Sequence, residues 1–335
     1  MTAPHDKLHL VYASDANYVR YIAVTACSAY AKASRPDDLI VHVLDCGIPD
    51  DTWDAFVKRL ESALPTPPHL VRHPIDMARF DALRGWQGTN RTVYARLVLP
   101  SLLPEEDWCV YADGDTLFVD DPLKLLECRD PDVALQGAID RYAPLSLRPW
   151  YGAHDIPLVP EDYLCAGFLL INLAWFRQHD LETRSMTFLH EHPDVPYLDQ
   201  DTLNILCAGS KRALPDGWGI FAARVFGAER PRCIHFAGIG ELPWKVSFSW
   251  KQGYRESMEI WYRCAKALLG LSREEVSKVP GWRWRLGLAY TWALKCMVRT
   301  LRLIPGVRRR LGRYEGRFCS RKDRWLFSPA LWRRG

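Results

Sequence analysis

The sequence lacks three features that would have placed it in common protein classes. No apolar run reaches the length of about 18 residues that a membrane-spanning helix needs. No GxGxxG motif follows the first predicted strand, so the dinucleotide-binding fingerprint is missing. The ten cysteines form no CxxC pair and follow no regular spacing. Since no signal peptide precedes the first strand, we read these cysteines as reduced thiols and expect a cytoplasmic protein.

The small net charge conceals an uneven distribution along the chain. The whole sequence carries +4. Residues 251–335 contain 21 Lys and Arg but only 6 Asp and Glu, which gives this segment +15 and leaves −11 on residues 1–250. The protein is therefore an acidic body with a basic C-terminal segment.

The first 140 residues alternate between predicted strands and helices. Apolar runs rich in β-branched residues predict strands at 8–13, 39–45, 69–72 and 108–112. Helical spacing of apolar residues predicts helices at about 18–32, 51–63 and 93–102. This order implies an α/β fold with a mainly parallel sheet that helices cover on both faces.

The pattern continues less regularly after residue 133. Strands are predicted at 133–140, 167–173 and 232–236, and a helix is predicted to begin near Asp199. We expect a loop across 141–161, where Pro, Tyr and Trp are frequent. From about residue 255 the sequence reads as helical, so we divide the chain into a catalytic domain, 1–250, and a basic helical extension, 251–335.

Asp113 and Asp115 stand at the end of the strand predicted at 108–112. The carboxyl ends of strands are where open α/β sheets bind ligands. Gly114 between the two acids allows the backbone to bend so that both carboxylates face one point. Two carboxylates that converge repel each other unless a cation lies between them, and Mg²⁺ or Mn²⁺ is the usual one. A solvated turn is the alternative, because Asp-Gly-Asp is also common turn chemistry.

The extension contains one helix with segregated faces. Tyr290, Leu294, Met297 and Leu301 share an apolar face, while a separate basic face includes Lys295 and Arg299 together with Arg302. Such a helix suits an anionic membrane surface. In the alternative, the apolar face packs on the catalytic domain. No nucleic-acid-binding motif accompanies the basic residues, so nucleic acid is not an expected partner.

Several motifs in order resemble those of glycosyltransferase family 8, whose members have the GT-A fold and transfer sugars with retention. The resemblance covers about residues 8–250 and is closest to bacterial lipopolysaccharide galactosyl- and glucosyltransferases. The motifs that carry it are Ala13-Ser14-Asp15-Ala16-Asn17-Tyr18, Tyr94-Ala95-Arg96-Leu97, Asp113-Gly114-Asp115, Asp140, Leu198-Asp199-Gln200-Asp201 and His235-Phe236-Ala237-Gly238 with Pro243-Trp244.

The resemblance implies a role for each matching residue. It places the nucleotide of a UDP-sugar on Ala13, Asp15, Asn17 and Tyr18 and the donor sugar and phosphate near Arg96. It implies a metal held by Asp113, Asp115 and His235, and a sugar contact from Asp140. Asp199 and Gln200 would lie beneath the anomeric carbon, and Gly238 would belong to the late acceptor loop.

Two positions depart from the family pattern. Cys165-Ala166-Gly167 stands where the family has Asn-Ala-Gly, so a thiol replaces an amide that contacts the donor sugar. The family's diphosphate-contacting lysine before Pro-Trp is missing, and Lys245 follows Trp244 instead. Either Lys245 takes over that role, or the diphosphate depends on the metal and backbone donors.

The chemistry of the same residues agrees with this function and also allows structural roles. Two carboxylates and a neutral histidine are compatible with Mn²⁺. Asp199 or Gln200 would stabilise the developing cationic sugar, although Asp199 also fits the N-cap of a helix. Asp15 and Asn17 equally suit helix capping, Tyr18 the core, and Arg96 a structural ion pair.

These observations predict a metal-dependent retaining hexosyltransferase. We expect it to use UDP-galactose or UDP-glucose and to act on a lipopolysaccharide-core or other glycolipid acceptor, while attached peripherally to the inner face of the membrane. Double displacement through a covalent intermediate and front-face attack both remain open. The alternatives are a protein glucosyltransferase, a UDP-sugar hydrolase and a membrane-bound nucleotide-sugar-binding protein without activity.

Overall fold

The structure, a computed structural model, describes residues 6–226, 228, 230–237, 242–245, 256–277, 281–301, 319 and 322–332. The strands within these residues are β1 Leu8–Ser14, β2 Leu39–Asp45, β3 His69–Pro74, β4 Trp108–Ala112, β5 Thr116–Phe118, β6 Leu135–Ile139, β7 Leu164–Asn172, β8 Lys211–Ala213, β9 Ile220–Phe221 and β10 Cys233–His235.

The α-helices of the described residues surround these strands. They are α1 Val19–Lys32, α2 Asp50–Ala63, α3 Leu99–Leu102, α4 Ala143–Ala153, α5 Leu173–Gln178, α6 Leu181–Glu191, α7 Leu198–Leu206, α8 Met258–Leu269, α9 Arg273–Ser277 and α10 Gly281–Leu301. Short 3₁₀ helices link them, among them Thr92–Val98 and Pro243–Lys245.

The main sheet has the strand order β3-β2-β1-β4-β7-β6-β8. β1 pairs in parallel with β2 and β4, β2 with β3, and β6 with β8. β7 runs antiparallel to both of its neighbours, β4 and β6. A small second sheet has the order β5-β10-β9. The predicted mainly parallel α/β architecture is confirmed, with β7 as the reversed strand.

The core lies on both faces of the main sheet. Along β1, Leu10 and Tyr12 belong to one buried cluster, whereas Val11 between them belongs to the cluster on the opposite face. Successive residues of a strand point to opposite faces, so a strand that is apolar at every position is covered twice. This explains why the continuous apolar runs predicted the central strands correctly.

The loop expected across 141–161 is wrong, because α4 occupies Ala143–Ala153. Proline suggested a loop, but Pro144 lies in the first turn of the helix, where no intrahelical acceptor for its missing N–H is needed. Asp140 Oδ1 accepts from the backbone N–H groups of Tyr142 and Ala143 just ahead of that turn. Leu147 and Tyr151, four residues apart, are buried on one face.

The segment predicted as one helix at 93–102 begins as the 3₁₀ helix Thr92–Val98 and ends as the single turn of α3. Pro100 lies in the first turn of α3, where proline is tolerated. The segment still buries Tyr94, Arg96 and Leu97, so its packing role is as expected.

The extension packs on the catalytic part through α8. Trp261 of α8 is fully buried, and its ring lies 6.4 Å from that of Tyr21 in α1. The Trp284 ring of α10 meets the Tyr262 ring of α8 edge-on at 4.9 Å. Among the described residues, no helix combines the length and the hydropathy needed to cross a bilayer. The division of the chain at residue 250 stays a prediction.

Candidate active site

Two strand pairings bring the predicted metal ligands together. β1 and β4 are parallel neighbours, so the residues that follow them lie at one edge of the sheet. After β4 the chain turns through Asp113 and Asp115 into β5, and β5 pairs antiparallel with β10. In that pairing His235 lies opposite Thr116, next to Asp115. The short second sheet therefore places the histidine beside the two carboxylates.

Asp113, Asp115 and His235 each offer a ligand atom within 4.8 Å of the others. His235 Nε2 lies 3.2 Å from Asp115 Oδ1 and 3.8 Å from Asp113 Oδ2. His235 is buried, whereas the two aspartates are partly exposed. Two oxygens and one nitrogen that converge in this way, with one side open to solvent, are suited to a divalent cation that also binds a ligand phosphate.

Two details show that these residues fit a cation. Asp115 Oδ1 is buried and, among the described residues, accepts no hydrogen bond of acceptable angle, although His235 is close. Such an oxygen is costly to bury without a partner. Gly167 lies against the cluster, and a Cβ there would be 2.2 Å from His235 Cε1 and 2.7 Å from Asp113 Oδ2. A larger residue would push both ligands aside.

Burial and neighbouring charge shift the pKa values of the cluster in opposite directions. Burial raises the pKa of Asp115, and the neighbouring His235 opposes that shift. Burial alone would lower the pKa of His235, but the carboxylate of Asp115 outweighs it and the pKa is raised. The carboxylate of Asp115 and the imidazole of His235 thus stabilise each other's charged form. A cation bound there would compete with protons for these side chains.

Arg96 connects Asp113, one of the predicted metal ligands, to Asp199. Its Nη2 donates to Asp113 Oδ1 at 3.0 Å, and its Nη1 donates to the carbonyl of Ala166. Asp199 Oδ2 lies 3.1 Å from Arg96 Nε, but that N–H donates to Val93 O, so this contact is an ion pair without a hydrogen bond. Burial raises the pKa of Asp199 to about 6 against the opposing effect of Arg96.

Gln200 uses both ends of its carboxamide. Its Oε1 accepts from the backbone N–H of Ala166 at 2.9 Å. Its Nε2 donates to Asp140 Oδ2 at 3.4 Å and to Tyr163 Oη at 3.3 Å. The structure therefore brings together five residues that sequence motifs placed in the site: Asp140, Cys165, Ala166, Asp199 and Gln200. The first turn of α7, the end of β6 and the start of β7 position them.

Sequence reasoning missed the residues that hold this turn. Asp201 is fully buried and accepts from Tyr151 Oη at 2.9 Å, Tyr163 Oη at 2.6 Å and the backbone N–H of Tyr197 at 2.7 Å. Just before Asp199, Leu198 has φ = 48°, a left-handed conformation that is strained for a leucine. Tertiary hydrogen bonds to Asp201 stabilise this strained turn, and no sequence spacing predicts them.

The residues after β1 have structural roles as well. Asp15 Oδ1 accepts from the N–H groups of Asn17 and Tyr18, at 2.9 and 3.1 Å, so it caps the turn that leads into α1. Ala13 is half-buried in the strand, and Asn17 is exposed. The Tyr18 ring lies edge-on to Trp244 at 6.0 Å. The capping alternative is therefore present in the structure, and the nucleotide contacts stay a prediction.

Gly114, Gly238 and Lys245 are the remaining residues that the sequence motifs placed in the site. The φ of Gly114 is not left-handed, so its backbone conformation does not require glycine. A Cβ at this position would lie 3.0 Å from Cγ1 of Ile22 in α1, and this close packing favours glycine. Gly238 lies outside the described residues. Lys245 ends the 3₁₀ helix Pro243–Lys245, and its side chain is outside the described part of the chain.

This sheet and this site define a glycosyltransferase of the GT-A fold type. The chain superimposes on the galactosyltransferase LgtC in complex with donor and acceptor sugar analogs, with a TM-score of 0.65 and 25% identity, over 81% of this chain and 100% of that one. The family described as Glycosyl transferase family 8 matches residues 9–246, and the chain belongs to this family.

Two other proteins are similar at lower identity. General stress protein A of Bacillus subtilis (strain 168) is 23% identical over 287 residues, which are 74% of this chain and 91% of that protein. The glycosyltransferase GlyE of Streptococcus pneumoniae TIGR4 shares the fold at a TM-score of 0.57 and 20% identity, over 84% of this chain and 64% of that one.

Proposed function

We propose that the protein transfers galactose or glucose, with retention, from UDP-galactose or UDP-glucose to a saccharide acceptor, and that the transfer depends on Mn²⁺ or Mg²⁺. The observation that carries the proposal is the cluster of Asp113, Asp115 and His235 beside the Arg96–Asp199 ion pair. A nucleotide-sugar transferase needs positive charge where the diphosphate departs and electron-rich groups where the sugar becomes cationic. Arg96 and a cation held by the cluster would supply the positive charge, and Asp199 with Gln200 would supply the electron-rich groups.

The metal would be held by Asp113, Asp115 and His235, a mixed oxygen and nitrogen set that suits Mn²⁺. When bound, the cation supplies Lewis-acid stabilisation to the departing UDP. Arg96 adds a fixed positive charge next to Asp113. Burial alone would lower the pKa of Arg96, but the neighbouring carboxylates outweigh burial and raise it. This guanidinium stays protonated throughout the physiological range.

Asp199 and Gln200 would lie on the sugar side. The contacts of Gln200 to Ala166, Asp140 and Tyr163 hold its carboxamide in place before a substrate arrives. A preorganised polar group costs little reorganisation when charge develops in the transition state. Either a covalent intermediate or front-face attack fits this arrangement.

The remaining donor contacts follow from the family to which the chain belongs. Asp15, Asn17 and Tyr18, with Ala13, would bind the nucleotide at the end of β1. The larger donor set is Arg96, Asp113, Gly114, Asp115, Asp140, Cys165, Ala166, Asp199, Gln200, His235, Gly238 and Lys245. The capping role of Asp15 uses Oδ1 and leaves Oδ2 for a ligand.

The acceptor would be a lipid-linked saccharide, such as a lipopolysaccharide core. The enzyme would be cytoplasmic and attached peripherally to the inner face of the membrane, where it would meet this acceptor. The support is α10, whose Trp282, Trp292 and Met297 side chains are 62, 69 and 51% exposed. The segment 251–335 that contains it carries +15. Exposed aromatic residues on a basic segment suit an anionic lipid surface.

The test is UDP release from a panel of UDP-sugars, with and without Mn²⁺ and with and without saccharide acceptors. We expect Mn²⁺-dependent release that needs an acceptor and is lost in Asp113→Asn and Asp115→Asn, while the exposed Asp54→Asn serves as a matched control. Release that needs no acceptor would identify a hydrolase instead. Transfer to protein alone would identify a protein glucosyltransferase, and UDP-sugar binding without release would identify a binding protein.

A further inference from the structure

Cys165 lies behind the proposed metal ligand His235. Its Sγ is 3.7 Å from His235 Nδ1, within hydrogen-bonding distance for sulfur, and both side chains are buried. The other ring nitrogen, Nε2, faces the carboxylates of Asp115 and Asp113. The imidazole thus bridges the thiol on one side and the carboxylates on the other.

The two nitrogens of a ligating histidine have complementary tasks. A cation bound through Nε2 uses that lone pair, so a neutral ring carries its hydrogen on Nδ1 and needs an acceptor there. Among the residues that the structure describes, Sγ of Cys165 is the group that hydrogen-bonds Nδ1. Phe221 stacks on the ring face at 5.7 Å and offers no acceptor.

We propose that Cys165 is a positioning residue for His235. Its sulfur accepts the Nδ1–H hydrogen bond and holds the ring with Nε2 turned toward Asp113 and Asp115. The inference rests on the proposed metal site, and it gives Cys165 the task of supporting His235 in place of the donor contact that its motif implies.

The thiol makes this support weaker than usual. Metal-bound histidines commonly donate to a carboxylate or a backbone carbonyl, whereas a thiol sulfur is a weak acceptor. Gly167 also fits closely against the ring, because a Cβ there would be 2.2 Å from Cε1, so Cys165 is one of several residues that position His235.

The experiment measures Mn²⁺ binding to the full chain in the presence of UDP, by electron paramagnetic resonance of free Mn²⁺ and without any acceptor. Loss of an outer-shell partner typically weakens metal affinity by about 10- to 100-fold. Because sulfur is a weak acceptor, we expect about tenfold weaker binding in Cys165→Ala. Cys165→Ser, which keeps an acceptor, should restore most of the affinity. Cys109→Ala, another buried thiol in β4, is the matched control and should bind Mn²⁺ like the wild type.

Several outcomes would overturn the assignment. Unchanged Mn²⁺ affinity in Cys165→Ala with altered discrimination between UDP-sugars would make Cys165 a donor contact. A thiolate charge-transfer band in the Co²⁺-substituted wild type, lost in Cys165→Ser, would make it a direct ligand. Unchanged affinity in Asp113→Asn would remove the metal site and the inference with it, whereas loss in Asp113→Asn but not in Cys165→Ala would overturn the inference alone.

Discussion

Gln200 is held by three partners before any substrate binds, and Asp140 and Tyr163 share its Nε2 at 3.3–3.4 Å. These contacts are at the long end of the hydrogen-bond range, whereas the contact of Oε1 with Ala166 N at 2.9 Å is of ordinary length. The amide nitrogen is therefore the end that can shift toward a sugar without a large loss. Gln200 thus connects the backbone of β7 to Asp140 at the end of β6.

Replacing this carboxamide should affect turnover more than binding. In Gln200→Ala we expect kcat to fall by about 100-fold, as for loss of one preorganised stabilising group, while UDP affinity changes little. Steady-state kinetics and UDP titration measure the two quantities separately. Gln178→Ala, at an exposed position at the end of α5, is the control and should leave both unchanged. Equal losses in kcat and in UDP affinity would indicate a donor-binding or structural role.

The sequence predicted the positions of some site residues better than those of others. Asp113 and Asp115 follow an apolar strand directly, so their position at the sheet edge was readable from the pattern. His235 was readable only through its motif, because the β5–β10 pairing joins residues more than one hundred positions apart. Asp201 and Tyr163 were not predicted as support, since their hydrogen bonds arise between segments that no local pattern relates.

Two buried histidines, His9 and His42, and the half-buried His73 connect the strands β1, β2 and β3. His9 Nδ1 lies 3.0 Å from His42 Nε2, and His42 Nδ1 lies 2.9 Å from His73 Nε2. His9 Nε2 meets Glu106 Oε2 at 3.0 Å. With neutral rings, each Nε2–H donates toward Glu106 along the row. Burial, and then the neighbouring His9 and His73, lower the pKa of His42 to about 3.

This row should make the sheet less stable in acid. In the native protein His42 stays neutral down to about pH 3, whereas in the unfolded chain it binds a proton below about pH 6.5. Its contribution to the free energy of unfolding is therefore complete above pH 6.5 and is lost as the pH falls. Between pH 7.5 and 5.0 we expect wild type to lose about 2 kcal/mol more unfolding free energy than His42→Gln.

Urea unfolding at the two pH values measures the difference. The exposed His190→Gln is the control and should lose as much as wild type. An identical pH dependence in His42→Gln and wild type would show that His42 is protonated in the native state. That result would contradict the lowered pKa.

The strands that are buried on both faces were predicted well, because they are apolar at every position. The bounds of β2 and β4 agree with the sequence pattern, and β1 extends one residue beyond it. α4 was missed because its prolines were read as breaks, although its buried residues follow helical spacing. α5 and α6 carry mixed polar sequence, and their packing was not predictable from periodicity: α5 lies against α3 and β4, and α6 lies against α5 and α7.

α10 presents several apolar side chains to the surface of the molecule, and the sequence predicted only some of them. Trp284 and Thr291 are buried, and Lys295 pairs with Glu256 at 3.0 Å. Tyr290 and Leu294, expected on the apolar face, are half-buried, while Met297 is exposed as expected. The packing alternative therefore holds for one side of the helix. The basic residues expected after Leu301, including Arg302, lie outside the described residues, as does the Arg299 side chain.

The outward side, formed by Trp282, Trp292 and Met297, should dock the enzyme on anionic lipid. Burying one large apolar side chain contributes about 1.5–3 kcal/mol, and each nearby basic residue about 1 kcal/mol. Sedimentation with phosphatidylglycerol vesicles at low salt should therefore retain wild type, and phosphatidylcholine vesicles should not. Retention should fall with added salt, because the Debye length shrinks to about 8 Å at physiological ionic strength. The triple variant Trp282→Ser, Trp292→Ser, Met297→Ser should bind at least tenfold more weakly, since about 1.4 kcal/mol corresponds to a factor of ten.

Two controls separate docking from folding. The triple variant alters only exposed positions and keeps Trp284 in the core, so UDP release with a soluble acceptor should be unchanged. Val159→Ser, exposed elsewhere on the surface, should bind vesicles like wild type. If wild type ignores phosphatidylglycerol vesicles at low salt, or the triple variant binds them as tightly, then α10 is not the membrane surface. The lipid-linked acceptor would in that case have to reach the site by another face of the protein.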